Sequence, residues 1–337
     1  MLTRSLGSKG PRVSAIGLGC MGMSDFYGPA DQAESIATIH AALDAGVTLL
    51  DTGDFYGMGS NELLLRDALR GRARDKVVLS VKFGALRDPG GGFIGLDGRP
   101  ASVKNFLAAS LRRLGTDYID IYRPARVDPS VPFEDTVGAV ADMIKAGYVR
   151  HLGLSEIGAE TLRRAHAVHP VADLQIEYSL ISRSIEADIL PACRELGVGV
   201  TAYGVLSRGL LSGHWSKEKA STGFDFRAHL PRFTGENLDR NLTLVEALRS
   251  IAQSKGATVA QIAVAWALSR GNDIVPLVGA RRRDRLTEAL GALDVSLSAD
   301  DLARIERAVP PDAVAGDRYD QRGMASLDSE RGRARAG

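Results

Sequence analysis

Val47-Thr48-Leu49-Leu50 runs into Asp51-Thr52-Gly53-Asp54-Phe55-Tyr56-Gly57, and a second apolar run, Val77-Val78-Leu79-Ser80-Val81, ends on Lys82. A buried strand delivers a charged residue at its C-terminal end only where that charge has work to do, and in a parallel α/β barrel that end is the active face. Asp51, Tyr56 and Lys82 brought to one point form a proton-donating device. The ammonium would stabilise the phenolate form of Tyr56 while Asp51 keeps Lys82 charged and oriented, lowering the phenol from about 10 towards the working range. A rim ion pair is the plain alternative for Asp51 with Lys82, and a packing aromatic for Tyr56. The three together favour chemistry.

Outward from this pair the chain repeats a short apolar strand and an amphipathic helix. Strands are expected at Ile16 to Gly19, Val47 to Asp51, Val77 to Lys82, Tyr118 to Tyr122, Val149 to Leu154, Leu174 to Glu177, Val198 to Ala202 and Ile274 to Val278. Helices are expected at Gln32 to Ala45, Asn61 to Leu69, Val103 to Leu114, Phe133 to Lys145, Ala159 to Val168 and near Ile185 to Leu196. Strands separated by helical segments of this length predict a parallel sheet, and eight of them predict a closed (β/α)8 TIM barrel. The opening, Leu2 to Leu6 and Val13 to Ile16 around Gly7 to Pro11, predicts an N-terminal β-hairpin.

A doubly wound open sheet would want Gly-x-Gly-x-x-Gly leading into a helix. Gly17-Leu18-Gly19-Cys20-Met21-Gly22 has the glycines, but Ser24 to Pro29 behind it is loop-like. Three long loops, Phe83 to Pro100, Ser212 to Asn241 and the tail after Pro310, stand where a barrel builds its pocket. The chain reads as one domain over 1–337, with 1–16 as the hairpin and 311–337 as a tail.

Of the 337 residues 45% are hydrophobic and 25% are charged, ordinary for a globular protein, and a net charge of +1 gives no reason to expect nucleic acid. The arginine-rich end, Arg331-Gly332-Arg333-Ala334-Arg335, reads as a frayed terminus. Cys20 and Cys193 lack metal-ligand spacing and read as buried free thiols of a reducing compartment. His40, His151, His166, His169, His214 and His229 form no metal set, so no metal is expected. No apolar run reaches about 18 residues and the N-terminus lacks a signal-peptide core, so a cytoplasmic protein with no membrane partner is expected. Phe26 and Tyr27 read as pocket walls or as a cover for the barrel rim, and Trp215 as a pocket contact or a loop anchor.

At family spacing, ordered blocks along nearly the whole chain resemble the aldo-keto reductases. They are Ile16 to Met23, Asp51 to Gly57, Leu111-Arg112-Arg113-Leu114-Gly115-Thr116-Asp117-Tyr118-Ile119-Asp120, Gly153-Leu154-Ser155-Glu156, Gln175 to Ser179, Tyr203 to Leu211 and Gly279-Ala280-Arg281. Within that family the chain is similar to the bacterial and fungal branch that includes pyridoxal reductases. The resemblance implies an NADPH-dependent reductase of aldehydes or ketones, a small-molecule carbonyl substrate, Tyr56 as general acid, and Lys82 and Asp51 as its supporting pair.

It further implies that Met21, Gly22 and Met23 border a nicotinamide with Asp51 behind it, and that Ser155, Glu156 and Gln175 reach its carboxamide. Many members carry Asn where Glu156 stands. Tyr203 would stack under the ring. Gly204, Leu206, Ser207, Arg208, Gly209 and Leu210 would cradle the pyrophosphate, as small-residue backbone amides and one arginine suit an anion. Gly279, Ala280, Arg281, Arg285 and Glu288 would hold the adenosine end. Arg281 is the candidate for a 2′-phosphate, so NADPH/NADP+ is favoured over NADH.

One departure matters. The family commonly reads Tyr-x-x-His-Arg-x-Asp after its fourth strand, whereas this chain reads Tyr122-Arg123-Pro124-Ala125-Arg126-Val127-Asp128. Ala125 occupies the histidine position. Losing one transition-state donor costs on the order of 3 kcal/mol where a site is built around it. The expectation is a working reductase whose carbonyl subsite is widened at Ala125, which favours a bulkier ketone. An NADP(H)-binding regulatory barrel and a Schiff-base lyase using Lys82 are the other readings, and a homo-oligomer stays open.

Overall fold

The computed structural model describes residues 1–24, 26–215 and 225–331. Eight parallel strands close a barrel in chain order: β1 (Gly17–Gly19), β2 (Leu49–Gly53), β3 (Val78–Phe83), β4 (Ile119–Pro124), β5 (Val149–Ser155), β6 (Val171–Glu177), β7 (Gly199–Tyr203) and β8 (Ile274–Gly279). The last strand closes on the first, with Val278 opposite Leu18. The first six strands are followed by α1 (Gln32–Asp44), α2 (Ser60–Leu69), α3 (Pro100–Leu114), α4 (Phe133–Lys145), α5 (Ala159–Val168) and α6 (Ile189–Leu196). This is the (β/α)8 barrel that the alternation predicts.

Several strands run further towards their C-terminal ends than expected. The apolar runs end at the first charge, but the ladder continues through it: Gly53 stands opposite Lys82, and Lys82 opposite Arg123. β6 also begins earlier, at Val171, because Asp173 is buried in mid-strand rather than preceding it. The sixth expected helix is split. A 3-10 turn at Ser184–Glu186 precedes α6, whose first N–H is accepted by the Asp188 carboxylate.

The long segments are more ordered than their composition implies. Ala85–Arg87 and Phe93–Leu96 form a hairpin inside the expected loop of 83–100, its turn held by Gly92 N–H donating to Asp88 Oδ1 at 2.8 Å. Among the described residues between β7 and β8 lie two α-helices, α7 (Gly235–Ser254) and α8 (Val259–Ser269). A Thr258–Gln261 capping box starts α8, which then buries Trp266. After β8 come α9 (Arg283–Leu290), α10 (Ala299–Ala308) and α11 (Gln321–Ala325). Among the described residues no helix is long and apolar enough to cross a membrane, and Cys20 and Cys193 are buried free thiols.

The barrel interior is layered. At the bottom the N-terminal hairpin (Thr3–Ser5 with Arg12–Ser14) brings Leu6 and Val13 onto Leu49, Ile121 and Val275, an apolar plug. Above it lies a polar layer. Arg123 and Asp173, both fully buried, pair at 3.0 Å. Arg123 also donates to Ser80 Oγ at 2.9 Å, and Thr201 Oγ1 to Asp173 Oδ2 at 2.5 Å. Gly153 makes room for this pair, since a Cβ there would stand 2.8 Å from Asp173 Oδ1 and 3.2 Å from Arg123 Cζ.

Removing one member of a buried pair strands the other charge. Arg123→Met is expected to lower unfolding stability by about 3–5 kcal/mol, and the double variant with Asp173→Leu to regain most of that loss. Urea denaturation checks both. A double variant no more stable than the single one would show that the layer acts other than as an ion pair.

Candidate functional site

The polar layer leads directly to Asp51. Its Oδ1 takes the Lys82 ammonium, and its Oδ2 accepts Ser80 Oγ and Gln175 Nε2, each at 2.7 Å. Three donors on one carboxylate fix its orientation. Ser80 joins it to Arg123 below. Lys82 is 6% exposed and Tyr56 5%, so neither faces bulk water.

Tyr56 opens a tight 3-10 turn after β2. Gly57 there has φ 53°, and a Cβ would lie 2.2 Å from Ser60 Oγ, so the Tyr-Gly order of the motif is a steric requirement. Asn61 braces the turn, accepting from Thr52 Oγ1 and donating to Cys20 O, at 2.7 and 2.8 Å.

The expected fall of the phenol pKa is not what this geometry gives. Burial first, and the Asp51 charge second, push the Tyr56 hydroxyl well above the ordinary phenol range. Lys82 Nζ lies 5.3 Å from the ring centroid and spends its bond on Asp51, and the cation that lowers the phenol is Arg126, outweighed by burial and Asp51. Burial also brings Lys82 down to about 8, against the opposing pull of Asp51.

The residues assigned to a dinucleotide stand at the adjoining strand ends. Gly22 and Met23 form a 3-10 turn after β1. Gly204, Ser207, Arg208 and Gly209 all have positive φ, 67°, 44°, 54° and 98°, beside Leu206 and the buried Leu210. Two N–H groups of this turn are spent inside it, Ser207 N–H on Gly204 O at 2.6 Å and Gly209 N–H on Leu206 O at 2.9 Å. Ser155 Oγ and Ser207 Oγ are buried without a hydrogen-bond partner. Such orphaned hydroxyls are uncommon, and both belong to residues that the resemblance assigns to the carboxamide and the pyrophosphate. The residues present fit a nicotinamide dinucleotide.

Other members of the set are already engaged. Gln175 spends its amide N–H on Asp51. Arg281, beyond Gly279 and Ala280 at the end of β8, donates from Nη1 to the carbonyls of Tyr27, Gly28 and Pro29 at 2.9, 3.3 and 3.2 Å. Arg285 and Glu288 on α9 form a group of their own with His214, including a 3.0 Å ion pair.

The tail supplies residues that sequence reasoning placed only within a pocket loop. Arg318, 5% exposed, grips both oxygens of Glu156 at 3.0 Å and reaches Glu177 at 3.4 Å and Glu330 at 2.6 Å. Glu156 also accepts from Tyr203 OH at 2.7 Å, Ser329 Oγ at 2.8 Å and Glu177 N at 2.9 Å. These bonds hold Glu156 at φ 52°, unusual for a non-glycine residue. Tyr319 follows, its hydroxyl 3.1 Å from that of Tyr203 and its ring 4.5 Å under Arg208. Glu177 is shared by Arg208, Arg232 and Arg318. No periodicity marks 316–319, and a bare Arg-Tyr pair in a loop carries no sequence signal. Arg331 pairs with Asp328 at 3.3 Å, while the rest of the arginine-rich end lies outside the described residues.

Of the two aromatics expected as pocket walls, Phe26 meets the phenol. Phe26 stands edge-on to Tyr56 at 6.4 Å and to Phe226 at 5.8 Å. Tyr27 forms a β-bridge with Asp225, joining the loop after β1 to the loop after β7. Between these loops opens a cavity of about 590 Å³, lined in part by Phe26, Phe226, Asp225 and His229. Trp215 packs edge-on against Phe233 and lies under Arg227. Ala125, 3% exposed, follows β4 with its N–H on Phe83 O at 2.8 Å.

Comparison with known proteins agrees with this architecture. The Aldo/keto reductase family matches residues 15–310. A probable aldo-keto reductase 1 of Glycine max is 42% identical over 315 residues, covering 93% of this chain and 90% of its own. Among solved structures, a glycerol dehydrogenase from Gluconobacter oxydans superposes with a TM-score of 0.84 at 28% identity, over 92% of this chain and 96% of its own. An aldo-keto reductase from Bacillus halodurans in its holo form gives 0.77 at 26%, over 95% and 99%. The chain belongs to the aldo/keto reductase family, oxidoreductases that act on carbonyl groups and generally use nicotinamide cofactors.

The Glu156–Arg318 contact gives a signed prediction. Against the upward push of burial, the Arg318 charge holds Glu156 below the ordinary carboxylate range. Its contribution is therefore full above the unfolded value of about 4.3 and is lost as pH falls. Arg318→Met is expected to cost about 3–5 kcal/mol at neutral pH, with the gap to wild type narrowing as pH falls below about 4, read by denaturation at several pH values. A gap independent of pH would deny the pair its role.

Proposed function

We propose that this chain reduces an aldehyde or ketone with NADPH, the proton coming from Tyr56. The observation that carries the reading is the buried triad: one carboxylate oriented by three donors, one ammonium fixed on it, and one phenol beside them, edge-on to Phe26. When bound, the dinucleotide supplies the hydride. Asp51 holds Lys82 in place, and both keep water from the reacting carbon. The raised Tyr56 keeps its proton at neutral pH and so presents an O–H to a carbonyl oxygen. As that oxygen gains charge it becomes a far stronger base than a phenolate, and transfer runs downhill. Lys82 then faces a nascent phenolate in a dry site, where its charge counts most.

Ser155 and Ser207 support the dinucleotide, and Arg281 with its neighbours at the end of β8 supports the 2′-phosphorylated form. Ala125 favours a second reading, an NADP(H)-binding barrel with weak turnover, because the usual imidazole donor is missing.

Steady-state reduction of 4-nitrobenzaldehyde with NADPH separates the two. Tyr56→Phe is expected to lower kcat by about 100-fold or more, within the range for a lost general acid, with NADPH binding retained by fluorescence titration. Equal rates in wild type and variant would end the catalytic claim. The pH profile has a definite sign as well. The ammonium is the active form of Lys82, so kcat/KM for reduction is expected to be level at lower pH and to fall as pH rises through about 8. An activity that rises across that region would contradict the role given to Lys82.

A further inference from the structure

Most arginines around this site have acids, and Arg281 is spent on backbone carbonyls instead. Arg208 and Arg232 share Glu177, Arg318 has Glu156, Glu177 and Glu330, Arg123 has Asp173 and Arg227 has Asp225. Arg126 differs. It follows Ala125 at the end of β4, half-buried, and its one hydrogen bond among the described residues goes to the carbonyl of Ala125 at 2.6 Å. No carboxylate of the described residues stands within ion-pair distance of its guanidinium. A guanidinium has five N–H donors in a rigid fork, and here most of that fork is unspent.

Its position is defined by what it acts on. Arg126 is the foremost cation acting on the Tyr56 phenol, and its charge also reaches Lys82, Tyr203 and Glu156. Tyr319 of the tail is the foremost neighbour that keeps it charged, against burial. By geometry Arg126 stands at the C-terminal face of the barrel, one residue past Ala125, whose N–H bonds Phe83 O at the end of β3, the strand that carries Lys82. Glu156, the acid whose charge acts on it, is already gripped by Arg318, so the Arg126 fork keeps donors for a ligand's anionic group.

We propose that Arg126 anchors the substrate, taking the carboxylate of an oxo acid whose carbonyl then meets Tyr56. This rests on the carbonyl-reductase reading and narrows it: the compounds reduced here carry an anionic group at one end. The fork matches a carboxylate in two hydrogen bonds. The Phe26–Phe226 wall accepts the apolar or aromatic part between the two ends. Arg126 is in this view a specificity-determining residue, and it restores by position some of the orientation that Ala125 removed.

The test uses the full chain, NADPH, and two probes, 4-carboxybenzaldehyde and its methyl ester, with calorimetric titration of both into the protein with NADP+. Wild type is expected to favour the acid by about tenfold or more in kcat/KM, mostly through KM, as a charge-assisted bidentate contact allows. Arg126→Gln should bring the acid-to-ester ratio to about one, and Arg126→Lys should restore part of it. Equal reduction and equal binding of the two probes overturn the anchor while leaving the reductase reading intact. Arg126-dependent binding of the acid without turnover of either probe upholds the anchor and sinks the reductase reading. An acid preference unchanged in both variants assigns the anion to another residue and overturns the proposal.

Discussion

A carboxylate buried at the top of a barrel is tolerated only if its lone pairs are filled, and the site depends on how Asp51 meets that demand. Lys82, Ser80 and Gln175 come from β3 and β6, so the acid ties together strands that lie apart in the barrel. Each donor is fixed in turn. Ser80 accepts from Arg123, Arg123 is paired with Asp173, and Asp173 accepts from Thr201 on β7. A network of this kind rigidifies when every member is satisfied and destabilises when one is missing. The ammonium that faces Tyr56 is therefore held by the barrel interior rather than by a surface loop, which is what a preorganised proton donor needs.

The same logic operates at the rim with the signs exchanged. Glu156 and Glu177 are buried acids, and burial alone would lift both towards neutrality; arginines from the tail and from the segments after β7 hold them charged. Glu156 and Tyr203, which the family resemblance assigns to the cofactor, are bound here by the tail. A ring laid on Tyr203 would share that residue with Tyr319, whose hydroxyl is already in hydrogen-bond range. The described tail is thus part of the wall of the site and not an appendage. A loss of tail anchoring at Arg318 would reach the cradle through Glu156 without any change in the cradle's own residues.

Much of this was legible in the residues. Strand–helix alternation required a parallel barrel, and a charge ending each of two apolar runs located Asp51 and Lys82. Local pattern failed where burial was decided by a distant partner. Asp173 looks like a strand boundary until Arg123 is known to lie opposite, and the two are separated by most of two βα units. The direction of the Tyr56 shift failed for a related reason: spacing shows that a lysine is near a phenol, but only packing shows how dry the phenol is and which way the ammonium turns. Arg318 and Tyr319 left no trace, because irregular segments have no periodicity to betray which side chains turn inward.

If Ala125 stands where the family's usual histidine would, the site lacks a neutral donor beside the reacting oxygen, and Arg126 bears on what that loss would mean. A neutral imidazole orients a carbonyl by one hydrogen bond and brings no net charge. A guanidinium one residue further brings charge and a fork of donors, but from a different direction and a greater reach. The two are not equivalent for a simple ketone, which offers a single weak acceptor. They approach equivalence for a substrate with a second, anionic end, since fixing that end sets the angle at which the carbonyl meets Tyr56. Orientation is then supplied through the far end of the molecule, and binding energy remote from the reacting carbon raises the fraction of productive encounters. An alanine in this position is compatible with catalysis to the extent that the substrate itself carries the handle that Arg126 is placed to hold.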